Sequence, residues 1–260
     1  MRVSARVRWV SVFGVSMVSA CTDAEDSTHQ SGTESESKIG TWADPVLLNS
    51  EHAAEPRAPE IDMNDAGHAL LLWSETTGAE ARLWSVRYTP AVGWAPAELL
   101  KVAPLFGEYR IAVDENGDGI VIWSEAANSA ATLWSVWASR FRADAGWDTP
   151  EPLEDEPDVE VSLGRLNGYH MALSMNPQGE AFAAWTDPDN KGIVRARHFD
   201  SEAGWGSPET LSNEVMAWSG AGIALCEDGS AVAMWGTAVP NQVSLASTKM
   251  WTNRYEPGIG

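Results

Sequence analysis

Five residues in one short segment have the types and spacing that could bind a divalent cation. Asp114, Asn116 and Asp118 alternate along the chain, Gly119 follows, and Glu125 comes seven residues after Asp118. Alternating oxygen ligands, a glycine at the sharp turn and a final bidentate carboxylate are what a calcium-binding loop needs. Calcium is therefore the one cofactor that the sequence suggests, with Asp114, Asn116 and Asp118 as its ligands.

The same segment is one copy of a repeat, which offers a second explanation for it. The spacing resembles the calcium loop of EF-hand proteins, but the flanking residues read as strands, not helices. Three other copies end at Trp73, Trp185 and Trp235, each six residues after a Gly, and Glu75 takes the place of Glu125 where the other ligands are missing. The alternatives are a calcium-binding turn between strands and a β-turn whose Asp and Asn bond their own backbone.

The four copies predict an all-β fold, a β-propeller of about four four-stranded blades. The glycines of the turns lie 50, 62 and 50 residues apart, and repeats of this length are typical of propeller blades. The second strand of each unit is a continuous apolar run, as expected for a strand buried on both faces. We place the blades at about 59–100, 109–154, 169–211 and 221–255.

Segment 40–48 is predicted to complete the last blade. A GW…P…L signature opens the fourth strand of the first three units, and Trp42 and Leu48 belong to a similar signature near the N-terminus. The fourth unit shows this signature nowhere after its third strand, at 244–251. We therefore expect 40–48 to pair with that strand and close the ring, so that the propeller spans 40–260. A ring completed by a second copy and a shortened relative of a larger array are the alternatives.

The first twenty residues, 1–20, predict an export signal. Three arginines precede a short apolar run, Trp9–Ser19, that is too short to cross a bilayer as a helix. The next residues, through Cys21, resemble the lipobox of bacterial lipoprotein signal peptides. This resemblance implies cleavage after residue 20 and lipidation of Cys21, whereas an ordinary secretory signal is the alternative. Residues 21–39 are polar and acidic, and we expect a disordered tether there.

Charge and sorting signals limit the partners and the location. The chain has 37 acidic and 17 basic residues, a formal net charge of −20, so phosphates are repelled and nucleic acid is not an expected partner. A membrane would be contacted through the lipid alone. Thr22 follows the cysteine where Asp would imply inner-membrane retention, which favours the outer membrane of the cell envelope, on its periplasmic or surface side. With Cys21 lipidated, Cys226 would have no intrachain disulfide partner.

Tryptophans and arginines of the third strands are the candidate ligand-binding residues. They are Trp84, Trp134, Trp137, Arg87 and Arg197, and sequence counting places Trp84 and Trp134 at the same position of their third strands. An arginine there and an acid two residues past the second-strand tryptophan are expected most simply to form a cross-strand ion pair. The layout is also similar to that of Trp-rich propeller lectins, including fucose-binding ones. That resemblance implies stacking of these tryptophans on sugar rings, with the arginines binding sugar hydroxyls.

Signatures of catalysis are weak in this sequence. The five histidines have no metal-ligand spacing, the common nucleophile and zinc motifs are missing, and the carboxylates are too evenly spread to identify an acid–base pair. The units resemble the Asn/Asp-x-x-Gly…Trp repeats of uncharacterised exported bacterial proteins, which implies architecture alone. We therefore expect a membrane-anchored exported propeller that is no enzyme and serves as a binding or scaffold module for an unknown protein, peptide or glycan. A glycan-binding lectin-like propeller and a glycosidase-like hydrolase are the alternatives.

Overall fold

The computed structural model of the protein describes nine stretches of the chain. They are 8–12, 15–19, 41–49, 54–154, 159–160, 170–187, 192–212, 217–238 and 248–258. Every regular secondary-structure element assigned in these stretches is a β-strand. A hairpin of β1 (Arg8–Val12) and β2 (Val15–Ser19) lies where the sequence predicts an export signal, and β1 contacts the fourth sheet described below. None of the described stretches contains a helix that is long and apolar enough to cross a membrane.

Four antiparallel sheets follow, one for each repeat unit, and we call them blades 1 to 4. Blade 1 contains β3 (Pro56–Met63), β4 (Ala69–Thr77), β5 (Glu80–Thr89), β6 (Gly93–Trp94) and β7 (Glu98–Ala103). Blade 2 contains β8 (Leu105–Val113), β9 (Gly119–Ala126), β10 (Leu133–Arg142), β11 (Gly146–Trp147), β12 (Glu151–Pro152) and β13 (Val159–Glu160). Blade 3 contains β14 (Met171–Met175), β15 (Ala181–Asp187), β16 (Ile193–Asp200), β17 (Gly204–Trp205) and β18 (Glu209–Thr210). Blade 4 contains β19 (Ala217–Leu225), β20 (Ala231–Ala238) and β21 (Thr248–Tyr255).

In blades 1 to 3, the turn between the first two strands is built by one Asp or Asn and one Gly, and Cys226 takes the place of the Asp or Asn in blade 4. In blade 2, Gly117 has a φ of +81° and its amide donates to the carbonyl oxygen of Asp114. Glycine is favoured there because a Cβ is strained at positive φ. Oδ1 of Asp114 accepts the amides of Asn116 and Asp118, at 2.8 and 2.9 Å. The turn is therefore closed by the side chain of its own first residue, as in the β-turn alternative.

Neighbouring blades pack face to face, and an apolar core fills each of the three spaces between them. Leu72 of blade 1 packs with Trp123 of blade 2, and Trp185 and Trp235 occupy the same position in the next two cores. All eight residues of β9 are buried, so this second strand is covered on both faces. The predicted all-β propeller architecture with four blades is confirmed.

Closure of the ring by 40–48 is not shown. β21 pairs with β20 over eight residues, and the described part of the chain places no strand on the other edge of β21. Trp42 is fully exposed, as are large parts of Val46 and Leu47. On the outer faces of blades 1 and 4, Met63 and Met250 are exposed among the described residues, whereas Ala69 and Trp73 of blade 1 are buried.

The pairing register corrects the alignment of the third strands. Trp84 lies opposite Trp73 in blade 1, and the residue at the same position of blade 2 is Trp137, opposite Trp123. Trp134, which sequence counting aligned with Trp84, lies three residues earlier on β10. The reason is the connection between β9 and β10, which has six residues where the β4–β5 turn has two.

The register also overturns the expected cross-strand ion pair of Glu75 with Arg87. Glu75 lies opposite Arg82, whereas Arg87 lies opposite Leu70, five residues away along β4. Five residues of strand separate them by about 16 Å, and odd spacing places the two side chains on opposite faces of the sheet. Glu75 instead accepts a hydrogen bond from Nε1 of Trp73 at 2.9 Å.

Candidate functional site

The first strands of successive blades contact one another and hold a polar cluster between them. β3 contacts β8, β8 contacts β14, and β14 contacts β19, the arrangement of innermost strands around a propeller axis. The cluster contains Glu60 on β3, Glu108, Tyr109 and Arg110 on β8, and His170 immediately before β14. Residues of three blades therefore meet near the axis.

Arg110 joins two carboxylates that come from different blades. Its Nη2 lies 2.9 Å from Oε2 of Glu108, and its Nη1 lies 3.5 Å from Oε1 of Glu60. Nη1 also donates to the carbonyl oxygen of Tyr109 at 2.8 Å, which fixes the guanidinium against the strand. One planar cation thus bridges two carboxyl groups from different blades.

Glu108 is held by blade 3 as well as by its own blade. Nδ1 of His170 lies 3.0 Å from its Oε1, and the amide of Met171 donates to its Oε2 at 3.2 Å. Each carboxylate oxygen therefore has a charged or aromatic-nitrogen partner, and Oε2 has a backbone donor in addition. This geometry fixes the side chain and favours its ionised form.

The two carboxyl groups are shifted in opposite directions. Burial raises the pKa of Glu60, the charge of Arg110 opposes that shift, and the negative charge of Glu108 adds to it. Burial also acts to raise the pKa of Glu108, but the hydrogen bond from His170, the charges of Arg110 and His170, and the amide of Met171 hold it below its usual value. The side chains of Glu60 and Glu108 are 40 % and 28 % exposed, so solvent reaches both.

Backbone irregularities present both carboxylates. The pairing of β3 shifts between Arg57 and Glu60, and that of β8 shifts between Phe106 and Tyr109, so Glu108 lies inside a bulge and Glu60 directly after one. Bulges redirect side chains and are common beside active sites. The hydroxyl of buried Tyr109 donates toward the carbonyl oxygens of Arg57 and Ala58 and accepts the amide of Ser74, at 3.1 Å, so it ties the two irregular segments together.

The predicted tryptophans take different places. Trp134 is buried in the core between blades 2 and 3 and donates Nε1 to the carbonyl oxygen of Ala131, so its ring faces are covered. Trp84 and Trp137 are half-buried on third strands. The ring of Trp137 lies under Nζ of Lys101, 4.7 Å from the ring centroid. A cation of the protein therefore occupies one face of this ring.

The predicted arginines bind main-chain carbonyls between blades. Nη1 of Arg87 donates to the carbonyl oxygen of Ala143 at 2.8 Å. Arg197 donates Nη1 to the carbonyl oxygen of Pro152 at 3.1 Å and Nε to that of Gly206. These contacts explain both arginines as links in the packing of neighbouring strands and blades.

The predicted calcium ligands are engaged by protein donors. Oδ1 of Asp114 accepts the amide of Asp118 within the turn. Oδ1 of Asp118 accepts the amide of Ala143 at 2.9 Å, and Oδ2 of Asp118 lies 3.2 Å from Nη2 of Arg140. Among the described stretches, no three His, Cys, Asp or Glu side chains form a group suited to a metal ion. Calcium binding by Asp114, Asn116 and Asp118 stays a prediction.

Cys226 is disulfide-bonded, which differs from the expectation for a chain lipidated at its other cysteine. The sequence contains two cysteines, and Cys21 lies outside the described stretches. A lipid thioether and a disulfide would use the same sulfur atom. The two states of Cys21 therefore exclude each other, and its lipidation stays a prediction.

Repeat positions contain a signal for the polar cluster that the sequence analysis missed. Glu60 and Arg110 both lie seven residues before the turn glycine of their unit, and Glu108 and His170 both lie nine residues before it. Opposite charges thus alternate at matching positions of neighbouring blades. Because first strands lie side by side, such positions meet near the axis.

No family model matches this sequence, and no curated protein matches it. Among solved structures, the chain is similar to AofleA from Arthrobotrys oligospora, with 10 % identity, a TM-score of 0.47, and coverage of 77 % of this chain and 53 % of that one. It is also similar to an α-L-arabinanase of Penicillium chrysogenum complexed with arabinobiose, with 10 % identity, a TM-score of 0.44, and coverage of 68 % and 60 %. A third similar structure is the GH93 α-L-arabinofuranosidase of Fusarium graminearum, with 8 % identity, a TM-score of 0.48, and coverage of 80 % of this chain and 65 % of that one. The chain spans about half the length of AofleA.

The expectation of a non-enzymatic binding or scaffold module, and of no enzyme, is corrected here. Several of the similar solved structures are described as glycoside hydrolases, among them the arabinanase and the arabinofuranosidase. At identities near one residue in ten, residue roles and substrates do not transfer from those proteins. The chemistry of this chain is therefore argued from its own carboxylates.

Proposed function

We propose that this propeller hydrolyses a glycosidic bond, with Glu60 as the general acid and Glu108 as the second carboxylate. One observation carries the proposal: two carboxyl groups share the guanidinium of Arg110, and their surroundings push their pKa values apart. Glycoside hydrolysis needs one carboxyl group that keeps its proton and one that stays ionised. Opposed pKa shifts in neighbouring carboxyl groups identify such acid and base roles.

The assignment of roles follows the direction of each shift. Glu60 has the raised pKa and the more exposed side chain, so it can hold a proton and deliver it to the departing glycosidic oxygen. Glu108 stays ionised beside Arg110 and His170, so it can face the positive charge that develops at the anomeric carbon. It would act there as the base for a water molecule or as the nucleophile.

The charge of the chain narrows the substrate class. A net charge of −20 repels anionic polymers, so uronate-rich and sulfated glycans are disfavoured. We therefore expect a neutral glycan.

The test is hydrolysis of a panel of neutral aryl glycosides and polysaccharides, followed by release of reducing sugar. E60Q and E108Q should each lower kcat/KM by about 10²–10⁴-fold, the usual contribution of one positioned acid or base. E98Q is the matched control, because Glu98 is an exposed glutamate on β7 of blade 1, away from the cluster. Activity that survives both E60Q and E108Q, or no hydrolysis of any glycan, would reject the proposal.

We also propose that the protein is exported and anchored to a membrane by a lipid. The basic start, the short apolar run and the small residues before Cys21 support cleavage after residue 20, with 21–39 as the tether and the outer membrane as the destination. A domain held in this way would act on glycans outside the cytoplasm. Labelling of the protein in cells with a lipid analogue tests the anchor.

A further inference from the structure

The interfaces between blades repeat one contact, which we call the Arg–aromatic clamp. The guanidinium of Arg87 in blade 1 lies over the ring of Phe141 in blade 2, 5.4 Å from its centroid, and donates to the carbonyl oxygen two residues further on. Arg140 of blade 2 lies over Phe199 of blade 3 at 5.5 Å and donates to the carbonyl oxygen of Ser201. The two clamps have the same spacing and the same direction along the array.

The register fixes which residues belong to this clamp in every blade. The cation position lies opposite the second residue of the apolar strand, as Arg87 does opposite Leu70 and Arg140 opposite Ile120. In blade 3 this position is His198, whose ring lies 5.9 Å from that of Tyr255 in blade 4. All three internal interfaces thus place a cation or an imidazole of one blade on an aromatic ring of the next.

Both halves of a fourth clamp lie on the outer faces of blades 1 and 4. Arg254 lies opposite Val232, so it is the clamp residue of blade 4, and its side chain is 65 % exposed. Tyr88 lies opposite Ala69, the position that Phe141 and Phe199 hold in their own blades. Blade 4 therefore presents the cation, and blade 1 presents the ring.

Some apolar side chains on the outer faces of blades 1 and 4 are exposed at positions that are packed in the other blades. Val232 and Met250 lie on the outer face of blade 4, and Met250 is 60 % exposed. Ile61 and Met63 lie on the outer face of blade 1, and Ile61 is 54 % exposed. Apolar faces of this kind, bordered by charge, are typical of protein interfaces.

We propose that a second copy of this chain covers these faces, with blade 4 of one copy packed on blade 1 of the other. The three internal cores fix how the blades follow one another, and in that arrangement Met63 and Met250 remain exposed on the two outer faces. A second copy supplies the matching half of the clamp, Tyr88 for Arg254, in the same direction as the internal interfaces. Such an interface is heterologous, and it closes into a two-fold ring when both ends are used.

Segment 41–48 fits the same assembly. The outermost strand of blade 1, β7, continues directly into the first strand of blade 2, β8. Segment 41–48 precedes β3 in this manner, so docking brings it to the free edge of β21 in the other copy. Trp42 would then lie opposite Tyr255, as Trp94 lies opposite Tyr88.

The test is the molar mass of the full chain by light scattering after size exclusion. We expect twice the chain mass for the wild type and for R142E, a charge reversal at an arginine that bonds Asp148 within blade 2. R254E and M250E should each give the mass of one chain while keeping the wild-type β-sheet circular dichroism, which separates loss of docking from loss of folding.

A crosslink distinguishes a second copy from closure within one chain. In the R254C/Y88C variant, with Cys21 and Cys226 replaced by alanine, a thiol-to-thiol crosslinker that spans the roughly 10 Å between packed sheets should give a covalent dimer on a denaturing gel. A crosslinked species with the mass of one chain would overturn the proposal. So would a wild type that has the mass of one chain at every concentration up to about 100 times that used for light scattering.

Discussion

Nδ1 of His170 lies 3.0 Å from Oε1 of Glu108, so one residue of blade 3 supports a carboxylate of blade 2. The contact crosses a blade boundary, as does the contact of Arg110 with Glu60 on the other side. The electrostatics of the site therefore depend on the packing of three blades. A change in His170 should act on the charge state of Glu108 and leave the fold of each blade intact.

The first prediction concerns the pH profile of H170A. Loss of the hydrogen bond and of the neighbouring charge removes two contributions that lower the pKa of Glu108, so that pKa should rise. If Glu108 must be ionised for hydrolysis, the acid limb of the kcat/KM profile moves to higher pH. H170Q keeps a hydrogen-bond donor and should move it less. An unchanged acid limb in H170A would remove Glu108 from the reaction.

The second prediction separates the two glutamates by their effect on stability. The folded-state pKa of Glu108 lies below its usual value, so its contribution to stability is present above the unfolded pKa and is lost as pH falls through the folded pKa. The folded-state pKa of Glu60 is raised, so its ionisation lowers stability at neutral pH.

Thermal unfolding at pH 7 and pH 3 measures this difference. E108Q should melt below the wild type at pH 7, and the gap should shrink at pH 3. E60Q should melt at or above the wild type at pH 7 although it loses activity. Stabilisation by removal of a functional group is a common trade-off at active sites. A large loss of stability in E60Q would instead indicate a purely structural ion pair with Arg110.

The third prediction tests the bulge that presents Glu108. A Cβ on Gly107 would overlap Oγ of Ser124 and lie 3.1 Å from Cζ3 of Trp134. G107A should therefore lower the free energy of unfolding by about 1–3 kcal/mol, as overpacking of a core does. It should also lower kcat, because Glu108 follows directly.

Two further variants make this result specific. S124A removes the overlapping oxygen, so G107A/S124A should recover part of the stability lost in G107A. G206A is the matched control, since a Cβ there meets the carbonyl oxygen of His198 at an ordinary 3.5 Å. Chemical denaturation of all four proteins gives the comparison. Equal losses in G107A and G206A would mean that the bulge is not the cause.

The fourth prediction concerns the turn that suggested calcium. D118N weakens the contact with Arg140 and the bond to the amide of Ala143, so its melting temperature should fall with or without calcium. Measurement of both proteins with added calcium and with chelator separates the two explanations of the turn. If calcium binds there, chelator lowers the melting temperature of the wild type and has no effect on D118N.

Local signals made the architecture predictable. A glycine at positive φ and an apolar second strand act within about thirteen residues, so each copy shows them, and three of the four copies also have the Asp or Asn that bonds the turn. The pairing register could not be predicted where loop length varies. Because the β9–β10 connection is longer, Trp134 does not lie at the position of β10 that corresponds to Trp84. Nothing local distinguishes these two tryptophans, because the difference arises from pairing.

The polar cluster was beyond sequence counting for a related reason. Glu60 and Glu108 are ordinary first-strand glutamates until bulges redirect them and packing between blades brings Arg110 and His170 to them. Their matching repeat positions show that first strands carry complementary charges. Only the register and the contact between blades turn this pattern into a site.

The last prediction concerns the sulfur of Cys21. If the lipobox is processed, cells fed a clickable palmitate analogue will label the protein, and C21A will lose the label. If Cys21 instead pairs with Cys226, C21A and C226A will share the same shift on a non-reducing gel, and neither the wild type nor C226A will carry lipid. The C226A variant distinguishes the two states. A lipoprotein keeps its lipid label when Cys226 is replaced, whereas an exported disulfide-bonded protein carries no lipid label.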